Sequence, residues 1–177
     1  IPDSVKEIKD YAFANSPGIH GALVIGNNVE KIGKQAFSNC TGFEGDLIIP
    51  ESVIKIRDNA FENCKNFTGK LVLPAKCELD YGVFKNCSGI SGEVIIPSDF
   101  GTSYNGSQLY IPEQTFMGCA NITKIDIKGT KTNISRSAFA GCENLLEINL
   151  ANKMNYMGES SFEGCKKLEH IVIPESC

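Results

Sequence analysis

Few residues of this sequence have the types and spacing that catalysis needs. Ser52 and Lys55 form an S-x-x-K pair, the arrangement of serine nucleophile and lysine in one class of acyl-transfer enzymes. The equivalent segment that begins at Asn28 lacks the serine, which argues against a selected catalytic pair. His20 and His170 are the only histidines and lie far apart, so no Ser/His/Asp or Cys/His set can be assembled. We therefore expect no catalytic residues and no enzymatic activity.

The cysteines offer a second possible chemistry, because the chain contains eight of them. In a short secreted chain such a number suggests a disulfide framework. There is no C-x-x-C pair, and no histidine lies at the spacing that zinc sites use. The sequence also has no glycine-rich phosphate-binding loop. It therefore predicts neither a metal site nor a cofactor.

Composition limits the partners of this chain. The net charge is −4 and the pI about 5.3. A nucleic-acid-binding protein needs a basic face, so nucleic acid is an unsuitable partner. No apolar run approaches the ~20 residues that a membrane helix requires, and we expect no membrane insertion in this segment. A length of 177 residues with 42% apolar residues is suitable for a single globular domain.

Phenylalanine recurs at a regular interval along nearly the whole chain. The equivalent positions are Phe13, Phe37, Phe61, Phe84, Phe116, Phe139 and Phe162. Successive members are 23 or 24 residues apart, except for a step of 32 residues between Phe84 and Phe116. A repeat of this length cannot bury its own apolar face, and stacked copies bury a continuous core. The sequence therefore predicts a solenoid with an insertion in one unit.

The cysteines follow the same period. Three residues after the repeated phenylalanine stand Ser16, Cys40, Cys64, Cys87, Cys119, Cys142 and Cys165. Cys77 and Cys177 occupy the position that Val5 and Val53 hold in other units. Cysteine commonly acts as a small buried hydrophobe, so we interpret all eight as core residues with free thiols. Disulfides between neighbouring turns remain an alternative. Stacked strands lie ~4.8 Å apart, which is within the Cα–Cα range of a disulfide, but side chains that point in parallel disfavour the dihedral angle that the bond requires.

Each unit ends in an alternating apolar pattern of the kind that predicts a strand with alternate residues buried. These segments are Leu23-x-Ile25, Leu47-x-Ile49, Leu71-x-Leu73, Val94-x-Ile96, Ile125-x-Ile127, Ile148-x-Leu150 and Ile171-x-Ile173. One strand per turn forms a parallel sheet along one side of the coil. A second short extended piece, such as Val29 to Ile32, is expected on the opposite side. The A-F-x-x-C segment is expected to form a short helical or 3₁₀ turn.

The combined pattern, A-F-x-x-C-x-x-L-x-x-I-x-I-P with I-x-x-x-A-F upstream, resembles the BspA-like leucine-rich repeat. The resemblance covers the chain outside roughly 98–110 and implies a leucine-rich-repeat solenoid. Its fold is a right-handed α/β-type coil, mostly parallel β with short helical or 3₁₀ turns. We expect one domain over 1–177, with about seven repeats and an insertion near 98–110. Both ends lie in the same repeat phase without a polar cap, so we expect a fragment of a longer protein.

Outward positions of the predicted sheet form two rows. The charged row is Ala22, Asp46, Lys70, Glu93, Lys124, Glu147 and His170, with signs that alternate from Asp46 to Glu147. The other row is Val24, Ile48, Val72, Ile95, Asp126, Asn149 and Val172, and its first four members are apolar. Opposite charges on neighbouring strands favour the correct register. Contiguous exposed apolar residues are typical of a binding surface, although valine and isoleucine also simply suit strands.

The inserted segment is rich in glycine and serine and carries Phe100, Tyr104 and Tyr110. An insertion in one repeat often lies on the functional face, and aromatic residues in a loop are adaptable contacts. A neutral loop is the alternative.

The resemblance also implies a function. Members of the family are typically surface or secreted proteins of host-associated microbes that adhere to host matrix proteins or other cells. We therefore expect a non-enzymatic protein-binding module at the cell surface or outside the cell, with a protein ligand such as a host extracellular-matrix protein. The alternative is a structural spacer that presents an adhesive region elsewhere in the chain. The candidate contact residues are Val24, Ile48, Val72, Ile95, Asp126, Asn149, Val172, Lys70, Lys124, His170, Phe100, Tyr104 and Tyr110.

Overall fold

The structure, a computed structural model, describes residues 1–104, 108–129, 132–150 and 153–173. These ranges contain short strands and turns and no helix. The strands are β1 (Glu7–Ile8), β2 (Gly21–Ala22), β3 (Lys31–Ile32), β4 (Phe43–Glu44), β5 (Leu47–Ile48), β6 (Lys55–Ile56), β7 (Leu71–Val72), β8 (Lys76–Leu79), β9 (Gly92–Ile96), β10 (Asp99–Phe100), β11 (Thr102–Tyr104), β12 (Gln108–Ile111), β13 (Ile122–Ile127), β14 (Thr132–Ile134) and β15 (Glu147–Asn149).

The strands stack with their repeat equivalents, which confirms a parallel solenoid. On one side, β5 pairs with β7, and β9, β13 and β15 form a second parallel group. This side is called the strand face below. On the opposite side, β1, β3, β6, β8 and β10 form a five-stranded parallel sheet. The expected extended piece near Ile32 is confirmed as β3 of this second sheet.

Two of the predicted strands on the strand face do not form. Leu23–Ile25 and Ile171–Ile173 have no assigned strand, although Leu23 and Ile25 are buried as the alternation requires. In the first unit the strand lies earlier, at β2, and Ala22 pairs with Glu44 instead of its repeat equivalent Asp46. The hydrophobic alternation therefore predicted burial correctly in this unit but not the pairing.

The A-F-x-x-C segment is a pair of tight turns, and the expected helical or 3₁₀ turn is wrong. Residues two before and two after the repeated phenylalanine have positive φ, as at Gln35 (φ 51°) and Asn39 (φ 61°). A left-handed residue every four positions prevents the continuous i→i−4 ladder of an α-helix. The N–H groups of Gln35, Phe37 and Asn39 instead donate to carbonyls of the next unit at 2.8–2.9 Å.

The core is a column of stacked phenylalanine rings. The seven repeat phenylalanines lie with neighbouring ring centroids 5.2–5.7 Å apart and ring planes within 16° of parallel. Phe43 and Phe67 form a second stacked pair at 6.0 Å. Each ring is held by the rings of adjacent turns, so each unit depends on its neighbours for burial.

The insertion is not a free loop. Its first part is β10, which extends the five-stranded sheet by pairing with β8. Its second part is an antiparallel hairpin of β11 and β12, and β12 then pairs in parallel with β14. Apolar residues at buried positions hold it, because Phe100 is fully buried and Ile111 keeps the repeat position in the core. The extra residues therefore widen one side of a continuous solenoid.

Candidate protein-binding surface

An apolar row lies exposed along the strand face. Alternation along each strand buries Leu47 and Ile49 and leaves Ile48 outside. The exposed fractions of its apolar members are Val24 68%, Ile48 52%, Val72 45%, Ile95 47% and Val172 81%. We call Val24, Ile48, Val72 and Ile95 the apolar stripe. The structure thus confirms that these side chains face solvent, while their role in binding stays a prediction.

The stripe is interrupted by a cleft between β7 and β9. Ile48 and Val72 are cross-strand partners, but β7 and β9 belong to separate sheets. Val72 and Ile95 line the same surface cleft of about 670 Å³, together with Leu71, Leu73 and Pro97. Leu71 and Leu73 are buried. The stripe therefore combines exposed ridges with a depression whose lining reaches the core.

The charged row forms ion pairs on part of the strand face. The Lys124 ammonium lies 3.1 Å from Glu147 and 3.7 Å from Glu93, as the alternating signs predict. The hydrogen bond and charge of Glu147 raise the pKa of Lys124. Lys70 makes no ion pair within the described ranges, although its backbone N–H donates to the Asp46 carboxylate at 2.7 Å. Lys70 therefore presents a free cation beside the stripe.

The later members of the second row, Asp126, Asn149 and Val172, differ in polarity and in exposure. Asp126 is half-buried and its carboxylate contacts Lys128 at 2.5 Å. Asn149, His170 and Val172 are exposed. The last two, with Leu146 and the strand β15, line a second cleft of about 590 Å³. The expected outward position of His170 is confirmed.

The insertion aromatics do not join this surface. Phe100 is fully buried, so its expected role as an accessible contact is wrong. Tyr110 is half-buried on β12, which belongs to a different sheet from the stripe, and its ring lies 6.4 Å from that of Tyr156. The side chain of Tyr104 lies outside the described part of the structure. The candidate residues thus divide between two sides of the solenoid.

Ser52 and Lys55 do not form a reactive pair. The Ser52 hydroxyl donates to the carbonyl of Val29 at 2.7 Å. The Lys55 ammonium contacts Glu78 at 2.8 Å and Asp80 at 2.7 Å. Burial lowers the pKa of Lys55, but the hydrogen bonds that its ammonium donates to the Asp80 and Glu78 carboxylates raise the pKa by more, and the net direction is upward. A lysine held as a charged ion pair cannot accept the proton of a serine nucleophile.

The ladder cysteines hydrogen-bond to the main chain. The thiols of Cys40, Cys64, Cys87, Cys119, Cys142 and Cys165 each donate to the carbonyl of a repeat phenylalanine, at 2.9–3.4 Å. The seven described cysteines are free, and Cys177 lies outside the described ranges. Within those ranges no cluster of histidine, cysteine or carboxylate side chains is arranged to hold a metal ion.

Two surface features could not be read from the sequence. One is the cleft between β7 and β9, because the spacing of the repeat gives no sign that these strands fail to pair. The other is a cleft between Leu79 and Tyr110 on the opposite side. Its only sequence signal is the 32-residue step from Phe84 to Phe116, which separates two units that would otherwise be neighbours.

The fold is a leucine-rich-repeat solenoid. Its defining features are the parallel strands that stack from turn to turn and the column of buried phenylalanine rings between them. A profile of the BspA type leucine rich repeat region matches residues 6–106 and 109–177, with six copies. The chain therefore belongs to the BspA-type leucine-rich-repeat family. No curated protein is significantly similar to it in sequence. Among the described residues, no helix is long and apolar enough to cross a membrane.

One solved structure supports the fold, and two further structures are more distantly similar. The chain is similar to the leucine rich repeat protein of T. pallidum, with 25% identity and a TM-score of 0.77, over 93% of this chain and 72% of that one. A leucine-rich repeat protein of Bacteroides ovatus has 22% identity and a TM-score of 0.46, over 98% and 60%. A leucine rich cell surface protein of Faecalibacterium prausnitzii has 21% identity and a TM-score of 0.44, over 99% and 66%.

Proposed function

We propose that this chain is a non-enzymatic protein-binding module that contacts its partner through the strand face. The observation that carries the proposal is the row of Ile48, Val72 and Ile95, each about half exposed. Monomeric proteins rarely leave contiguous large apolar side chains in water without a role. Solenoids bind through extended surfaces built from equivalent positions of successive repeats.

The flanking residues suit a protein partner. The cleft between Val72 and Ile95 offers a depression for a large side chain, and interface energy concentrates in such pockets. The ammonium of Lys70 and the carboxylates of Asp46 and Glu93 line the same cleft, so it offers charges of both signs to the polar groups of a partner. This arrangement combines an apolar centre with a polar rim, as in known protein interfaces.

The location and the partner class rest on family resemblance. BspA-like proteins are typically surface or secreted proteins of host-associated microbes. We therefore propose a cell-surface or extracellular location and a protein ligand of the host, such as an extracellular-matrix protein. The chain itself supplies the surface, and the ligand must be found by experiment.

The test is direct binding of the folded chain to a panel of host matrix and plasma proteins. A variant with Val24, Ile48, Val72 and Ile95 all changed to threonine should lose saturable binding, because threonine keeps strand propensity but removes apolar contact area. Ile48→Thr and Ile54→Thr form a matched pair, since the two side chains are 52% and 53% exposed and Ile54 adjoins β6 on the opposite sheet. Only Ile48→Thr should weaken binding.

Two results would contradict the proposal. Equal loss of binding in Ile48→Thr and Ile54→Thr would place the contact away from the strand face. An absence of binding by the folded wild-type chain across the panel would favour the alternative function, a structural spacer that presents an adhesive region elsewhere in the protein.

A further inference from the structure

A third cleft lies on the side of the solenoid opposite the apolar stripe. Its volume is about 380 Å³, at the low end of the ~300–1,000 Å³ usual for ligand pockets. It is lined by Asp58, Leu79, Asp80, Tyr81, Tyr110, Pro112, Glu113 and Ser135. In regular turns the equivalents of Leu79 and Ile111 are strand partners, as Ile32 and Ile56 are. Here the inserted strands β10 and β11 come between β8 and β12, and the cleft occupies the resulting gap.

Aromatic and apolar groups form much of the lining. Tyr81 and Tyr110 contribute half-buried rings, Pro112 adds a further apolar wall, and Leu79 is fully buried. The face of a tyrosine ring attracts a cation, and the attraction grows as water is excluded. Arginine uses this interaction more than lysine, because its planar guanidinium stacks on rings and is weakly hydrated.

Carboxylates at the cleft select the charge of the occupant. Asp80 is already paired, at 2.7 Å with Lys55 and 3.8 Å with Arg57. Among the residues that the structure describes, the Asp58 carboxylate has one partner, the backbone N–H of Tyr81, which donates to it at 3.2 Å. Glu113 is exposed and makes no ion pair within the described ranges. Asp58 and Glu113 therefore leave two negative charges beside the rings that no cation of the described residues pairs with.

We propose that this cleft binds a basic side chain, arginine in the first place, that projects from a partner protein. The guanidinium stacks against Tyr81 or Tyr110 and pairs with Asp58 or Glu113. An open cleft of this size covers a free amine incompletely, whereas a side chain on a protein is also held by the contacts around it. The site is independent of the apolar stripe, so a partner can engage either face alone.

Fluorine NMR of protein labelled with fluorotyrosine gives a direct readout, because the chain has five tyrosines and no tryptophan. Tyr81→Phe and Tyr110→Phe assign the two resonances. The probe is a blocked Gly-Gly-Arg-Gly-Gly peptide, and its control replaces arginine with citrulline, which has nearly the same shape and no charge. The arginine peptide should shift both resonances saturably and less strongly at high salt, and the citrulline peptide should not.

Charge variants locate the contact. Asp58→Asn with Glu113→Gln should weaken binding of the arginine peptide by about tenfold, the effect of removing one half-buried and one exposed charge contact. The asparagine keeps an acceptor for the N–H of Tyr81. The matched control is Glu44→Gln with Glu169→Gln, which removes the same charge at two exposed sites outside the cleft lining. This control should leave the affinity unchanged, and equal urea unfolding midpoints verify that all variants fold.

Four outcomes overturn the proposal. Equal binding of the citrulline peptide would show that charge is not recognised. If the Asp58 and Glu113 variant binds the peptide with unchanged affinity, the basic group does not bind in the cleft. The same conclusion follows if Tyr81 and Tyr110 show no saturable shift up to the solubility limit of the peptide. Binding of free ethylguanidinium without binding of the peptide would assign the cleft to small amines instead of a protein partner.

Discussion

The thiol of Cys64 donates a hydrogen bond to the carbonyl of Phe37, one full turn away, at 3.0 Å. The same carbonyl accepts the backbone N–H of Cys40 at 3.1 Å. The buried carbonyl oxygen therefore uses both of its lone pairs. Alanine in place of Cys64 would leave one of them without a donor, because alanine has no side-chain donor. This relationship gives a physical reason for a cysteine ladder in which no disulfide is needed.

The first prediction concerns thiol reactivity. Burial raises the pKa of Cys64 and of Cys119 to about 12 and that of Cys165 to about 11. Only the thiolate is nucleophilic, so a disulfide reagent at mildly alkaline pH should react slowly with the folded protein. Cys165 should react before the fully buried thiols because it is partly exposed. Unfolding without reductant should release eight reactive groups, the number in the sequence. A stable count of two would show bridged pairs instead.

The second prediction concerns alkaline stability. The thiol of Cys64 has an ordinary pKa of 9.0 and a pKa of about 12 when folded, so its stabilising contribution is complete below pH 9. Between these values the unfolded state holds fewer protons than the folded state. The free energy of unfolding therefore falls as pH rises, by about 1.4 kcal/mol per pH unit for each such thiol.

Urea unfolding from about pH 8 to about pH 11 measures this dependence. Lysine and tyrosine also titrate in this range, so the informative quantity is the difference between wild type and Cys64→Ala. The variant should be less stable at neutral pH and should show a slope shallower by about one proton. Identical slopes in the two proteins would show that burial does not raise the pKa of Cys64.

The third prediction concerns the ring column. Phe61 is fully buried between Phe37 and Phe84, at 5.2 and 5.7 Å. Phe61→Ala should reduce the free energy of unfolding by about 3–5 kcal/mol, because it leaves a cavity inside a stack. Phe13→Ala is the matched comparison, since Phe13 is half-buried and stacks on one side only, against Phe37. Its loss should be clearly smaller. If both variants lost the same free energy of unfolding, the second stacking partner of an interior ring would contribute nothing to stability.

The fourth prediction concerns an amide ladder beside the column. Asn63 donates to Asn39 at 2.9 Å and accepts from Asn86 at 3.1 Å, and its φ is 61°. Asn63→Ala removes two hydrogen bonds and places a residue ill suited to positive φ there. Asn63→Gly removes the same bonds but tolerates the backbone conformation. Urea unfolding should rank the wild type first, glycine second and alanine last. Alanine equal to glycine would mean that the left-handed backbone contributes little.

The sequence predicted the parts of the fold that follow from spacing. A constant interval between Phe37 and Phe61 requires equivalent places in successive turns, and the cysteine ladder follows from the same phase. The alternation around Ile48 predicted its exposure, because period two leaves no other face for it. The predicted helical turn was wrong because Gln35 shows no preference for positive φ, although asparagine at Asn39 and Asn63 was a usable sign of left-handed backbone.

The inserted unit was harder to read. Between Ser98 and Tyr110 the repeat spacing no longer applies, so nothing in the sequence distinguished buried Phe100 from an exposed loop aromatic. The antiparallel pairing of β11 with β12 depends on contacts with neighbouring turns. The cleft at Tyr110 arises only when that hairpin is in place, and its residues come from four separate units of the chain.

The main-chain bonds between turns also determine how the molecule responds to tension. Gln35, Phe37 and Asn39 hold one turn to the next through three parallel bonds, and the same set recurs along the chain. Force along the solenoid axis loads these bonds together, whereas force that peels a terminal turn breaks them one after another. Each released turn of 23 or 24 residues lengthens the chain by about 75 Å. A solenoid under such tension would therefore extend in discrete steps while the remaining turns keep their folded faces intact.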